Sequence, residues 1–146
     1  MITAVDTNVL LDIFGADGKF GEISAEAARQ CLSEGALVAC EAVWAETATA
    51  FQSSEKFRRA MANLGVTFEP LSESAAVKAA EAWRRYRTQG GRRARIVSDF
   101  LIGAHALSAA DRLLTRDRGI YRKYFVGLKV LDPSAYFEHD EIHYRR

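Results

Sequence analysis

The 146-residue chain is 49% hydrophobic and 27% charged, the length and balance of one globular domain able to bury about 68–70% of its unfolded surface. Its formal net charge of +1 supplies no general attraction to polyanions, so a nucleic-acid function has to rest on local clusters. Cys31 and Cys40 lack metal-type spacing and favour two buried thiols over a disulfide scaffold. No leader-like segment and no run of about 20 apolar residues is present, so a cytoplasmic protein with no membrane association is expected.

The chain begins with a short apolar run, Ile2–Val5, that stops at Asp6. Val9, Leu10, Ile13 and Phe14 then recur at helical spacing, with Thr7 as the expected N-cap and Gly15 as the stop. A polar, glycine-rich loop over 15–21 leads to a helix expected to be capped by Ser24 and to end at Gly35. Ala36–Ala39 reads as a second buried strand. From Glu41 an apolar stripe through Val43, Trp44, Thr47 and Phe51 predicts a helix packed on a sheet, with Glu41 at its start. A further amphipathic helix covers 54–64, and Val66–Phe68 is a third strand. The long pattern from Ser72 to Gln89 predicts a helix ended by Gly90 and Gly91, and Ser98 is the expected cap of an almost wholly apolar helix. Arg112–Thr115 and Lys129–Leu131 complete five strands, separated by a short helix from Gly119 to Phe125, and Asp132-Pro133 opens a last helical turn. Strands alternating with helices predict an α/β domain around a parallel sheet.

Asp117 stands to the fourth strand as Asp6 stands to the first, an acid at the carboxyl end of an apolar run. Ligands of open parallel sheets bind outside those strand ends. Asp99, in the first turn of its helix, and Glu46, on an apolar helix flank without a Lys or Arg at i±3 or i±4, are the other candidates. Taken singly, Asp99 also suits the helix dipole and Asp117 suits a turn. As a set they repel, about 4 kcal/mol for a pair ~4 Å apart at an effective dielectric of ~20, which a hard divalent cation with oxygen ligands would relieve. The sparse, poorly spaced His and Cys argue against structural zinc.

Asp6-Thr7-Asn8, Glu46 within Val43-Trp44-Ala45-Glu46, Asp99 within Ser98-Asp99-Phe100-Leu101-Ile102-Gly103-Ala104-His105-Ala106, and Thr115-Arg116-Asp117 resemble, in order, the four acidic motifs of PIN-domain nucleases, and most closely those of VapC-type toxins. The resemblance spans nearly the whole chain. It implies a single three-layer α/β/α PIN-like domain over 1–146 with a central, mainly parallel sheet of about five strands. It implies an Mg2+- or Mn2+-dependent endoribonuclease, dimeric and restrained by a small VapB-like antitoxin in a hetero-oligomer. Asp6, Glu46, Asp99 and Asp117 would be the catalytic, metal-binding quartet, and Thr7, Asn8 and Thr115 the polar residues that orient ligands or waters. Gly103 departs from the more usual alanine and marks close packing. The alternatives within the fold are a housekeeping RNA-processing nuclease without an antitoxin and a non-catalytic nucleic-acid-binding module.

Arg84, Arg85, Arg87, Arg92, Arg93 and Arg95 cluster with no intervening acid just ahead of Asp99. Arg92, Arg93 and Arg95, with Arg116 beside Asp117, are the expected RNA contacts, and a solvated helix end is the competing reading. His105 reads as a satisfied core histidine, and His139 and His143 as members of a solvated tail. The aromatic residues read mainly as packing. A haloacid-dehalogenase-type phosphatase would require an Asp where Asn8 stands. A receiver domain would require a phosphoacceptor Asp where the third strand leads into Glu69-Pro70.

Overall fold

The computed structural model describes residues 1–92, 97–117 and 119–135. Strands β1 (Ile2–Val5), β2 (Ala36–Ala39), β3 (Val66–Phe68), β4 (Arg112–Leu114) and β5 (Val130–Leu131) form one sheet in the order β3-β2-β1-β4-β5. Every neighbouring pair is parallel, so the sheet expected to be mainly parallel is wholly so. From β1 the chain steps outward to β3, then returns to lay β4 along the other side of β1, pairing Thr3, Ala4 and Val5 with Arg112, Leu113 and Leu114. The β1–β4 junction is therefore the point where strand order reverses.

Right-handed crossovers send the helices before the reversal to one face and those after it to the other. Helices α1 (Thr7–Phe14), α2 (Gly21–Glu34), α3 (Glu41–Ala48) and α4 (Ser54–Leu64) precede it. Helices α5 (Glu73–Thr88), α6 (Ser98–Ala109) and α7 (Gly119–Tyr124) follow, α5 lying along α6 and α7 touching both. The result is the expected α/β/α sandwich. Because both sheet faces are covered, the strands read as short continuous apolar runs rather than alternating ones. Val5, Leu37, Leu113 and Leu114 from the sheet meet Leu10, Phe100, Ile102 and Tyr121 from the helices, all at most 1% exposed. Gly103 holds the ring of Phe125 where a Cβ would stand, as the close-packing reading expected. Cys31 and Cys40 are both buried, as two small core thiols.

Three caps differ from expectation. Asp6, not Thr7, caps α1, accepting from the Thr7 backbone N–H at 2.7 Å. Helix α2 starts three residues before Ser24, with Phe20 as its N-cap, and the Ser24 hydroxyl donates instead to the buried Asp12. Ser98 is the first residue of α6 rather than its cap, and its hydroxyl donates to Glu46. The Thr7 hydroxyl likewise donates to Glu46, so each of the three hydroxyls has found a carboxylate acceptor, a charge-assisted bond stronger than one to a neutral partner. Glu41 accepts from the Leu71 N–H at 2.7 Å, a structural task at the start of α3. Arg93, Arg95, His139 and His143 lie outside the described residues.

Candidate metal centre at the strand switch point

Asp6 continues β1 by one residue, its N–H donating to Leu114 O at 2.9 Å, so its side chain emerges at the β1–β4 junction. The carboxylate is 4% exposed. Oδ1 accepts from Thr7 N, while Oδ2 accepts from Thr115 Oγ1 at 2.7 Å, from Tyr121 Oη at 2.9 Å and from Asn8 Nδ2 at 3.4 Å. Burial raises its pKa to about 6 against the opposing effect of these bonds, and the charge of Asp99 pushes the same way as burial.

The three other acids connect to Asp6 through neutral donors. Asp99, half-buried in the first turn of α6, lies with Oδ1 3.4 Å from the Tyr121 hydroxyl, which thus stands between it and Asp6. Exposed Asp117 donates its N–H to Thr115 Oγ1 at 3.0 Å and accepts at Oδ1 from Gly119 N at 3.3 Å. Glu46 on α3 accepts from Thr7 Oγ1 at 2.8 Å and from Ser98 Oγ at 3.1 Å, the residues next to Asp6 and Asp99. Asn8 ties the strand ends together, donating to Thr115 Oγ1 at 3.3 Å and accepting from the Arg116 N–H at 3.2 Å. Four acids far apart in sequence thereby join one hydrogen-bonded set around the carboxyl ends of β1 and β4.

Tyr121 and Ser98 are the two members that sequence reasoning missed. Tyr121 packs as expected, at 0% exposed, but its hydroxyl bridges two acids. Burial, and then the charges of Asp6 and Asp99, push the phenol far above its ordinary range, so it stays a donor. The available signal was a tyrosine on the apolar side of a helix four residues after Asp117, because a buried phenol needs a polar partner. For Ser98 the capping pattern concealed the signal.

The set offers only hard oxygen donors, and no Lys or Arg among the described residues forms an ion pair with Asp6. Among the described residues no three acids converge into a ready-made cage. Mg2+ rarely needs one, since it binds through one or two carboxylates and keeps several waters. A buried carboxylate with a second acid across a shared phenol fits such a cation in donor type and charge.

The arginines divide. Arg92 is exposed, whereas Arg85 donates to Tyr124 O at 3.0 Å and Arg87 to Gly91 O at 3.0 Å. Arg116 turns to Asp12, which its Nε reaches at 2.6 Å and its Nη2 at 3.0 Å. His105 is a core residue as expected, 2% exposed with its pKa lowered by burial, but it is not fully satisfied, because its Nε2 is buried without a hydrogen-bond partner among the described residues.

No curated protein matches the chain. Among solved structures, VapBC-1 from nontypeable Haemophilus influenzae aligns with a TM-score of 0.69 at 24% identity, covering 92% of this chain and 99% of the other. VapBC2 from Rickettsia felis, bound to a promoter DNA fragment, gives 0.68 at 17% identity, with 90% and 98% covered. VapC20 of Mycobacterium tuberculosis, described as a toxin that cleaves the sarcin-ricin loop, gives 0.56 at 15% identity, with 87% and 98% covered. At these identities the likeness establishes the fold. The sequence itself matches the PIN domain model over residues 3–126, and the chain belongs to the PIN domain family.

Proposed function

We propose that the protein is an Mg2+- or Mn2+-dependent endoribonuclease and the toxin of a VapC-type pair, restrained by a small VapB-like antitoxin. The observation that carries the reading is the gathering of Asp6, Glu46, Asp99 and Asp117 into one hydrogen-bonded set at the strand switch point. In this reading the cation sits among the four carboxylates, held directly by one or two of them and through its waters by the others, and Thr7, Asn8 and Thr115 fix their rotamers. A bound divalent cation supplies a water of lowered pKa and charge stabilisation at the phosphate. The chain's own part is to aim the acids. Asp6 is fixed by donors to both oxygens, Tyr121 sets its spacing from Asp99, and exposed Asp117 faces the side from which a phosphodiester approaches.

Membership of a family of nucleases and the toxin–antitoxin nature of the Haemophilus and Rickettsia complexes support the assignment. The sarcin-ricin loop cleaved by the mycobacterial neighbour supports RNA as the substrate class. The basic stretch carrying Arg92, Arg93 and Arg95 serves as a track for the RNA backbone. We place the whole chain, 1–146, in one cytoplasmic domain that forms a homodimer and then a hetero-oligomer with the antitoxin. Among the described residues no helix is long and apolar enough to cross a membrane.

The test uses purified, antitoxin-free protein and a structured RNA with Mn2+ or Mg2+. Wild type is expected to cut only with the cation, and Asp6→Asn to lose at least 100-fold in rate while remaining folded. An Asp6→Asn protein that cuts as fast as wild type overturns the assignment.

A further inference from the structure

Asp12 is a buried carboxylate outside the four-acid set. It lies on α1, 5% exposed, and accepts at both oxygens from Arg116, Nε to Oδ2 at 2.6 Å and Nη2 to Oδ1 at 3.0 Å. Ser24 of α2 donates a further bond to Oδ2 at 3.0 Å. The Arg116 guanidinium also stands over the Phe20 ring, 4.1 Å from its centroid. A planar fork bound at two points and stacked on an aromatic has little rotational freedom left.

The position of this arginine in the chain gives the clamp its meaning. Arg116 follows Thr115, whose hydroxyl holds Asp6, and precedes Asp117; its own N–H is fixed to Asn8. Strand β4 ends at Leu114, so this loop leaves the sheet with Thr115 N to Leu131 O as its last sheet-like bond. We propose that Asp12 is a positioning residue that acts through Arg116, holding the 115–117 loop where Thr115 and Asp117 can serve the cation, and that Arg116 is a strut rather than an RNA contact. This rests on the metal-nuclease reading above. An arginine recruited for phosphate would be left free at the surface; this one is withdrawn onto a buried acid, and its side chain is only 31% exposed.

The test compares Asp12→Asn, Arg116→Gln, Arg116→Lys and the Asp12→Asn/Arg116→Gln double variant in the full chain. Three quantities are measured: Mn2+ affinity by calorimetric titration, RNA affinity in EDTA across a salt series, and kcat and KM for RNA cleavage. Positioning predicts that each single variant binds Mn2+ about 10–100-fold more weakly, with a matching fall in kcat, unchanged KM and unchanged RNA salt slope. The double variant is no worse than the weaker single, because both changes break one clamp. Arg116→Lys keeps the charge but lacks the fork, so it fails like Arg116→Gln in Mn2+ binding. The proposal is overturned if Arg116→Gln flattens the salt slope by about one while Arg116→Lys behaves as wild type, which marks a phosphate contact. It is equally overturned if all the variants bind Mn2+ as wild type does. A wild type that binds Mn2+ but cuts no RNA would sink the nuclease reading, and the Mn2+ comparison would still decide the clamp.

Discussion

The Tyr121 hydroxyl lies 2.9 Å from Asp6 Oδ2 and 3.4 Å from Asp99 Oδ1, so one buried phenol spans acids delivered by a strand end and by a helix start. Tyr121→Phe keeps the ring that fills the core and removes only this bridge. We expect it to unfold about 1.5–3 kcal/mol more easily at pH 7, the range for a bond to a charged acceptor, and to bind Mn2+ about 10-fold more weakly. Urea unfolding and Mn2+ titration on the same preparation check both. A variant equal to wild type in each would show that the hydroxyl holds nothing.

In the proposed reading Asp6 sets function against stability. Its pKa is raised from 3.8 to about 6, first by burial, so the folded state prefers the neutral acid. The stability this preference contributes is fully present below pH 3.8, is lost as pH rises through about 6, and is absent at neutral pH. Asp6→Asn is therefore expected to be more stable than wild type at pH 7, by at most about 3 kcal/mol for two pH units. The gap should close between pH 6 and pH 4. Mn2+ should raise the Tm of wild type and leave the variant unmoved. Thermal scans across pH, with and without Mn2+, read this out; a variant less stable than wild type at pH 7 would show that the charge is already compensated in the apo protein.

How much of this was legible in the sequence depended on whether a residue's task was local. The strands were, because a parallel sheet covered on both faces writes itself as short apolar runs, and the five observed strands fall on the five runs. Asp6 and Asp117 were legible as acids where such runs stop. Thr7, Ser24 and Ser98 were misread because capping is a pattern of neighbours in sequence, whereas their hydroxyls answer to carboxylates 39, 12 and 52 residues away. Asp12 was illegible for the same reason, since nothing near it in the chain distinguishes an acid that will be buried beside Arg116, and Tyr121 offered only its place on the apolar side of a helix. Arg116 reads from the sequence as an RNA contact, whereas its side chain is bound to Asp12, a partner that no neighbour in the chain announces.

At the opposite end of β4, Arg112 is 5% exposed and bonds Thr3 Oγ1 at 2.9 Å as well as Glu34. Glu34 is 41% exposed, so water screens much of what the pair contributes. Breaking an ion pair costs most where the charge left behind is buried: Glu34→Ala strands the buried Arg112, whereas Arg112→Met strands only Glu34, which water still reaches. Glu34→Ala is thus expected to destabilise more than Arg112→Met, by about 1 kcal/mol, and neither should alter kcat, because this is the amino end of the sheet. Denaturation midpoints and cleavage rates together test it, and a fall in kcat for either would place the working end of the sheet elsewhere.

Gly103 links the core to the candidate site through a single ring. A Cβ there would come within 2.5 Å of Phe125 Cε2, and Phe125 is 4% exposed, stacked near both Phe100 and Tyr121. Alanine gains about 1 kcal/mol of helix propensity over glycine, against about 1–3 kcal/mol for overpacking. Overpacking should win, because the obstructing atoms belong to a rigid ring with little room to turn. Phe125 directly follows α7 and its N–H bonds Tyr121 O, so its displacement also moves Tyr121, four residues back. We expect Gly103→Ala to lower stability by about 1 kcal/mol and to weaken Mn2+ binding severalfold. Gly103→Ala/Phe125→Leu should recover both, since leucine leaves space where the ring stood. A stabilised Gly103→Ala would mean that the ring yields and that helix propensity decides.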